Sequence, residues 1–225
     1  MNEALCSILC AQDEWYYDSE GRYIKFNNDG TGEVCRFSPI LYIYIWESVN
    51  NNYKLWCRCN FNYWIAAVLE WKRIDSPRDP TEVAGVAQNR GPQLLGQLNL
   101  EIALVKRLPK WVEASILSKS TLINEFSLMD VAFQPKTYTV RIEKGNFIEP
   151  CSINCGNWNG WRYELRLLFD KSPYPPRCQW KQPEGGPDGG QFWDHREFVG
   201  RHLEDLPTGG RAMNDISPWN GCIVS

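Results

Sequence analysis

Histidine is scarce in this sequence, with only His195 and His202 among 225 residues. Any mechanism that depends on histidine must therefore use one of these two. The His-x-His and His-Glu-x-x-His spacings of metal sites are absent, as are the Gly-x-Ser-x-Gly elbow of hydrolases and the Walker phosphate loop. The sequence consequently predicts no metal site and no cofactor, and it does not carry the motifs of the common enzyme classes.

Positive charge is not in excess either. The chain has 24 lysines and arginines against 27 aspartates and glutamates, which gives a net charge of −3. A general nucleic-acid binder needs a basic face, so no nucleic-acid partner is expected. No apolar run approaches the roughly 18 residues of a membrane-spanning helix, so no transmembrane segment is expected.

The first twelve residues lack the features of a secretory signal. They contain no basic start and no apolar stretch of about 7–15 residues, and Glu3 stands where a positive charge belongs. The nine cysteines, an odd number, agree with a compartment that keeps thiols reduced. We therefore expect a cytoplasmic protein whose folding does not depend on disulfides.

The chain does contain a repeated alternation of apolar and polar residues with a period of two, typical of strands that bury one face. The predicted strands cover residues 23–26, 33–37, 42–49, 53–61, 63–74, 98–104, 138–143 and 161–169. Residues 111–129 are compatible with a short helix or with an irregular strand. Such strands form a sandwich or a closed barrel, and a barrel of about eight strands can hold one small ligand. We predict an all-β fold in residues 1–172, an antiparallel barrel of eight to nine strands.

The composition changes after Asp170, where proline and glycine become frequent. Four aromatic residues are embedded in this stretch: Trp180, Phe192, Trp193 and Phe198. A solvated linker does not need such residues. We therefore predict that residues 173–225 form an extended Pro/Gly-rich C-terminal strap and tail packed on the barrel, with a short helix over residues 197–206.

Three short segments carry a resemblance to a known family. They are Asn27-Asn28-Asp29-Gly30-Thr31-Gly32-Glu33, Asn62-Tyr63-Trp64-Ile65-Ala66-Ala67 and Glu70-Trp71-Lys72. The stretch from Trp15 to Phe169 resembles lipocalin-like, or calycin-type, barrels, and it is similar to small intracellular proteins of this kind from fungi. The resemblance implies a barrel with an internal apolar site. In fungal natural-product pathways, such barrels sometimes guide cyclisations, including Diels–Alder reactions.

The same resemblance has limits. Secreted lipocalins open with Gly-x-Trp, whereas Asp13 and Glu14 precede Trp15 here. Transport between cells is therefore not implied. No catalytic residue is carried over by a motif.

Aromatic residues on the predicted strands are the candidates for a ligand site, because flat apolar rings with a polar edge suit a cavity wall. These candidates are Trp46, Tyr63, Trp64, Trp71 and Trp161. The alternative is that these rings are ordinary core. The candidates for catalysis, by residue type, are Glu101, Tyr163 and His195; for His195 the alternative is a histidine that only packs the tail.

Two functions remain open at this stage. The first is a cofactor-independent cyclase or isomerase acting on a hydrophobic metabolite, which needs a shaped chamber and one or two hydrogen-bond donors. The second is a non-catalytic carrier or interaction module. The expected partner is a hydrophobic small-molecule ligand or substrate, and the sequence does not predict the oligomeric state.

The sequence ends in Cys222-Ile223-Val224-Ser225, which fits the signature for prenylation of the cysteine. We therefore predict lipidation at Cys222, with weak membrane association as its consequence. No polybasic run precedes this cysteine, and one lipid chain alone anchors a protein only weakly. An unmodified thiol is the alternative.

Overall fold

The computed structural model describes residues 2–18, 22–44, 56–74, 91–107, 124–185 and 187–203, with the backbone alone for residues 36–44, 56–64 and 185. Eight strands follow one another in sequence order around a closed ring, and the first strand pairs with the last. Every neighbouring pair is antiparallel. The prediction of an all-β antiparallel barrel is confirmed.

The strands are β1 Trp15–Tyr16, β2 Arg22–Phe26, β3 Thr31–Tyr44, β4 Trp56–Arg73, β5 Gln93–Val105, β6 Lys136–Ile148, β7 Arg162–Phe169 and β8 Glu197–His202. Among the described residues, the helices are short: α1 Asn2–Cys10, α2 Asn124–Ser127, α3 Pro150–Asn154 and α4 Pro187–Gly190. The same part of the chain contains 3₁₀ turns at Asp130–Phe133, Arg177–Gln179, Pro183–Gly185 and Phe192–Asp194. None of the described helices has the length and hydrophobicity needed to cross a bilayer.

Strands β3 and β4 are longer than predicted. Residues 33–37 and 42–44 belong to one strand, and residues 56–61 and 63–73 belong to another, so the predicted breaks at these points are wrong. The register between β3 and β4 shifts at a bulge between Arg36 and Phe37. Pro39, which lacks an N–H donor, is tolerated because the pairs between β2 and β3 end at Arg36. Residues 45–55 lie outside the described residues.

The predicted helix over residues 197–206 is wrong for residues 197–202, which form β8. This strand pairs with β7 on one side and with β1 on the other, so it closes the ring. Three consecutive residues, Phe198, Val199 and Gly200, are buried. Burial on both faces removes the apolar–polar alternation by which a strand is recognised in a sequence. The closing strand therefore lies inside the predicted strap.

The barrel core is built from alternate residues of the strands. Along β5 the buried residues are Leu98, Leu100, Ile102 and Leu104, whereas the residues between them are partly exposed. The same contiguous core contains residues from the other strands, among them Ile24, Val34, Ala67, Leu69, Val140, Ile142, Leu165, Leu167 and Phe198. Burial of these aliphatic faces is the main stabilising contribution, at about 1.5–3 kcal/mol for each large side chain.

One end of the barrel is covered by α1, a helix that the sequence pattern did not predict. Leu5 and Leu9 are its buried residues, and Leu5 lies against Gly96 at the start of β5. The indole N–H of Trp15 donates to the carbonyl of Leu9 over 3.0 Å. The helix is therefore attached to the first strand by a buried hydrogen bond.

The opposite end is covered by the connection between β7 and β8. Helix α1 leads into β1, and the β7–β8 connection leads into β8. Because β1 and β8 are antiparallel, these two segments lie at opposite ends of the barrel. The hydroxyl of Tyr174 donates to the carbonyl of Cys35 on β3 over 3.0 Å. In a ring of eight, β3 and β7 are four strands apart, so this connection crosses the barrel. Trp180 and Phe192 are buried within it.

The cysteines whose side chains are described all carry free thiols, namely Cys6, Cys10, Cys35, Cys151, Cys155 and Cys178. Independence of folding from disulfides stays a prediction.

Candidate functional site

His195 is buried where the β7–β8 connection meets the start of β8. Its ring stacks on that of Tyr17 with a centroid separation of 3.6 Å and an angle of 17°. The ring of Tyr174 stands edge-on to it at 5.9 Å, and that of Phe192 lies at 6.0 Å. Since His195 is only 5% exposed, it is enclosed by aromatic rings instead of lying on the surface.

A tight turn before β8 places this histidine. Gln191 has a φ of 45°, in the left-handed region, and it leads into the 3₁₀ turn of residues 192–194. The amide of His195 then donates to the carbonyl of Phe192 over 3.1 Å. The hydroxyl of Ser172 donates to the same carbonyl over 2.7 Å. The turn is thereby tied to the end of β7.

Tyr17 is held from the other side by residues of the β1–β2 turn and of α3. Asn154 donates to its hydroxyl over 3.0 Å, and the guanidinium of Arg22 lies 5.0 Å from its ring centroid. Arg22 forms an ion pair with Asp18 and donates to the sulfur of Cys151 over 3.4 Å. Burial raises the pKa of Tyr17, so its phenol remains protonated near neutral pH.

These polar residues adjoin the barrel interior. Tyr17, Tyr174 and Phe192 belong to the same contiguous core as the barrel aliphatics. Tyr17 stands edge-on to Phe198 of β8 at 6.4 Å. An apolar interior with a few convergent polar groups at one end is the usual make-up of a small-molecule site. An imidazole in that position can supply a hydrogen bond or a proton.

Tyr163 lies in a second, smaller cluster with Phe147, Val199 and Tyr16. Its hydroxyl donates to the buried carboxylate of Glu149 over 2.7 Å. Burial is the main cause that raises the pKa of Tyr163 far above its ordinary value, and this hydrogen bond raises it further. The phenol is therefore a permanent donor to Glu149 at neutral pH.

The third catalytic candidate, Glu101, lies at the half-buried outer side of β5. It pairs in register with Lys72 of β4, and the two charged groups are 2.8 Å apart. Lys72 is exposed, so the carboxylate of Glu101 takes part in a surface ion pair. The structure does not bring Glu101, Tyr163 and His195 together.

The predicted ligand-binding aromatics also occupy different places. The indole of Trp71 donates to the carbonyls of Asn27 and Thr31, over 3.2 Å and 3.1 Å, and its ring meets Phe26 edge-on at 5.6 Å. Trp71 thus fastens the β2–β3 hairpin to the core. Trp161 precedes β7, is 57% exposed, and stands edge-on to His202 at 5.8 Å.

The remaining predicted residues lie beyond what the structure describes. Tyr63 and Trp64 are on β4, where the backbone alone is described, and Tyr63 pairs with Phe37. Trp46 and Cys222 lie outside the described residues. Their ligand-binding and lipidation roles stay predictions.

Sequence reasoning missed Tyr17, Tyr174, Asn154 and Glu149. Tyr17 and Tyr174 acquire partners from distant parts of the chain; Asn154 and Tyr17 are 137 residues apart, whereas Glu149 and Tyr163 are 14 residues apart across the loop between β6 and β7. No local pattern signals such a contact. Within the described ranges, no three His, Cys, Asp or Glu side chains gather closely enough to hold a metal ion.

Comparisons with known proteins give no family assignment. No protein-family model matches the chain, and neither a curated protein nor a solved structure does so. The lipocalin-like and fungal relationship therefore stays a prediction.

Proposed function

We propose that this protein binds a hydrophobic small molecule inside the barrel, at the end covered by the β7–β8 connection. The proposal rests on one observation, the position of the Tyr17–His195 stack against an aliphatic barrel core. Aliphatic walls favour an apolar ligand, and two buried polar rings orient one polar group of that ligand. A barrel of eight strands can hold one such molecule.

Cyclisation or isomerisation without a cofactor is the chemistry that we propose for this site. Confinement of a flexible ligand removes an entropic barrier, and a hydrogen bond from His195 or Tyr17 stabilises charge that develops on it. The alternative is a non-catalytic carrier or interaction module. Incubation of the purified protein with a ligand extracted from its native host separates the two. A new product that is lost in His195→Gln identifies an enzyme, and unchanged ligand identifies a carrier.

The binding proposal is tested by filling the interior. Ala67 is a buried core residue on β4, whereas Ala103 is half-buried on the other face of β5. In Ala67→Phe, a new ring occupies the volume that the ligand needs. We expect at least about a tenfold loss of affinity for 1-anilinonaphthalene-8-sulfonate in this variant, while Ala103→Phe binds like the unmodified protein.

Circular dichroism and thermal unfolding accompany the titration. A barrel with room for a ligand accommodates the ring in Ala67→Phe with little loss of stability. Absence of saturable binding in the unmodified protein would refute the proposal. So would a strongly destabilised Ala67→Phe, because this result indicates an interior already filled by side chains.

A further inference from the structure

The loop between α3 and β7 presents two large indoles to solvent. Trp158 is 60% exposed and Trp161 is 57% exposed. Tryptophan is usually well buried, because its ring carries a large apolar surface. Two exposed tryptophans within four residues form an apolar surface, and such a surface commonly marks an interaction site.

The loop that carries these indoles is ordered by its own hydrogen bonds. Gly156 has a φ of 72°, in the left-handed region, and it ends α3. The amide of Asn159 donates to the side-chain oxygen of Asn157 over 3.1 Å. The guanidinium of Arg162 donates to the carbonyl of Trp158 over 3.2 Å. Little conformational entropy is left to lose when such a loop binds.

The charges beside the two indoles are mainly positive. Arg162 follows Trp161 directly, and Arg201 precedes His202, whose ring contacts Trp161. Lys144 adds a third exposed cation. Two carboxylates lie near these cations. Glu164 pairs with Lys144 over 2.9 Å and with Arg201 over 3.1 Å, and Glu14 is hydrogen-bonded to Tyr16, whose ring lies 6.3 Å from that of His202. Three cations against two carboxylates leave this surface slightly positive on a chain with a net charge of −3.

The geometry points to an anionic membrane as the partner of this surface, with Trp158 and Trp161 inserted at the level of the lipid headgroups. Indoles favour that level, because one part of the ring is apolar and the N–H is polar. Arginines beside them are attracted to anionic headgroups.

A sugar is a poorer match, because a sugar site needs polar groups that are free to bind hydroxyls. In this loop the Asn157 oxygen and the Arg162 guanidinium are directed at the loop backbone. The surface lies away from the barrel core, so this inference is independent of the proposed ligand site. It is also independent of lipidation at Cys222.

The test uses the full chain without a lipid modification and vesicles of phosphatidylcholine with or without about 30 mol % phosphatidylserine. We expect flotation with the anionic vesicles. In Trp158→Ala/Trp161→Ala the partition coefficient falls at least about tenfold, because two indoles no longer insert. In Arg162→Gln/Arg201→Gln the preference for phosphatidylserine is reduced.

A matched control removes two other exposed apolar side chains. Leu94→Ala/Phe126→Ala, at positions 50% and 62% exposed, leaves flotation unchanged. Circular dichroism verifies that each variant is folded. Quenching of tryptophan fluorescence by brominated lipid gives a second measurement, and the Trp158→Ala single variant diminishes it.

Three results would overturn the inference. One is that the unmodified protein does not float with anionic vesicles. Another is that the double tryptophan variant floats equally well. The third is that a soluble glycan protects the indoles from an aqueous quencher while vesicles do not, which assigns the surface to a sugar.

Discussion

At the residue scale, the buried side chain of Asn124 forms the backbone hydrogen bonds that a neighbouring strand would otherwise form. Its amide nitrogen donates to the carbonyl of Ala66 over 2.8 Å, and its oxygen accepts from the amide of Ala66 over 3.3 Å. Ala66 lies on β4 just beyond the pairs with β5, which begin at Val68. Both backbone groups of a buried residue are thereby satisfied, as buried polar groups generally must be.

We expect Asn124→Ala to lower the free energy of unfolding by about 2 kcal/mol or more, because two buried backbone groups lose their partner. Denaturant unfolding measures this loss. Asn159→Ala, at an exposed loop position, is the matched control and should change little. Equal stability of the two variants would contradict this account of Asn124.

At the element scale, closure of the barrel depends on a very short strand. β1 contains only Trp15 and Tyr16, and a single pair, Tyr16 with Val199, joins it to β8. Side-chain packing reinforces this junction. A Cβ atom at Gly200 of β8 would lie 3.0 Å from the ring of Trp15, so the glycine allows the indole to approach the strand.

Gly200→Val tests this junction. The new side chain meets the ring of buried Trp15, and we expect a loss of roughly 1–3 kcal/mol, as for other overpacked cores. Gly91→Val is the control, because nothing lies within 4 Å of a Cβ atom at Gly91. Thermal unfolding compares the two variants. A melting temperature of Gly200→Val equal to that of the control would show that Trp15 does not constrain the junction.

At the scale of the whole molecule, buried tyrosines couple folding to alkaline pH. Burial raises the pKa of Tyr16 to about 12 and that of Tyr138 to about 12. Burial also raises the pKa values of Tyr23 and Tyr163 strongly. The folded state therefore holds these protons more tightly than the unfolded state, where a tyrosine titrates near pH 10.

The sign of the pH dependence follows from this difference. The stabilisation is fully present below about pH 10 and is lost as the pH rises from there through about 12, because only the unfolded state releases the protons. Denaturant unfolding between about pH 8 and pH 12 should show this decline. Tyr138→Phe should make the decline shallower, since one titrating group is removed. A free energy of unfolding that stays constant above pH 10 would contradict the prediction.

Much of the sheet could be predicted from local sequence. The alternation along residues 98–104 and 163–169 gives the face that each strand buries, because the period of a strand is two and one face meets the core. The chain turns between β2 and β3, where Gly30 adopts a φ of 81°, a conformation that glycine adopts without strain.

The candidate site was predictable only in part. Residue type alone singled out His195, because histidine titrates near neutral pH and the chain has two. The same reasoning selected Glu101, which the structure places in a surface ion pair with Lys72. Residue type indicates which chemistry a side chain can perform, but not what surrounds it.

The sequence by itself determined the all-β class and the alternation of most strands, since these depend on neighbours along the chain. The tertiary structure alone decided that residues 197–202 close the ring, because a strand buried on both faces has no alternation to detect. It also decided that Tyr17 stacks on His195, a contact between opposite ends of the chain. Such contacts form only when the barrel is closed and the β7–β8 connection crosses it. No local pattern in the sequence therefore predicts them.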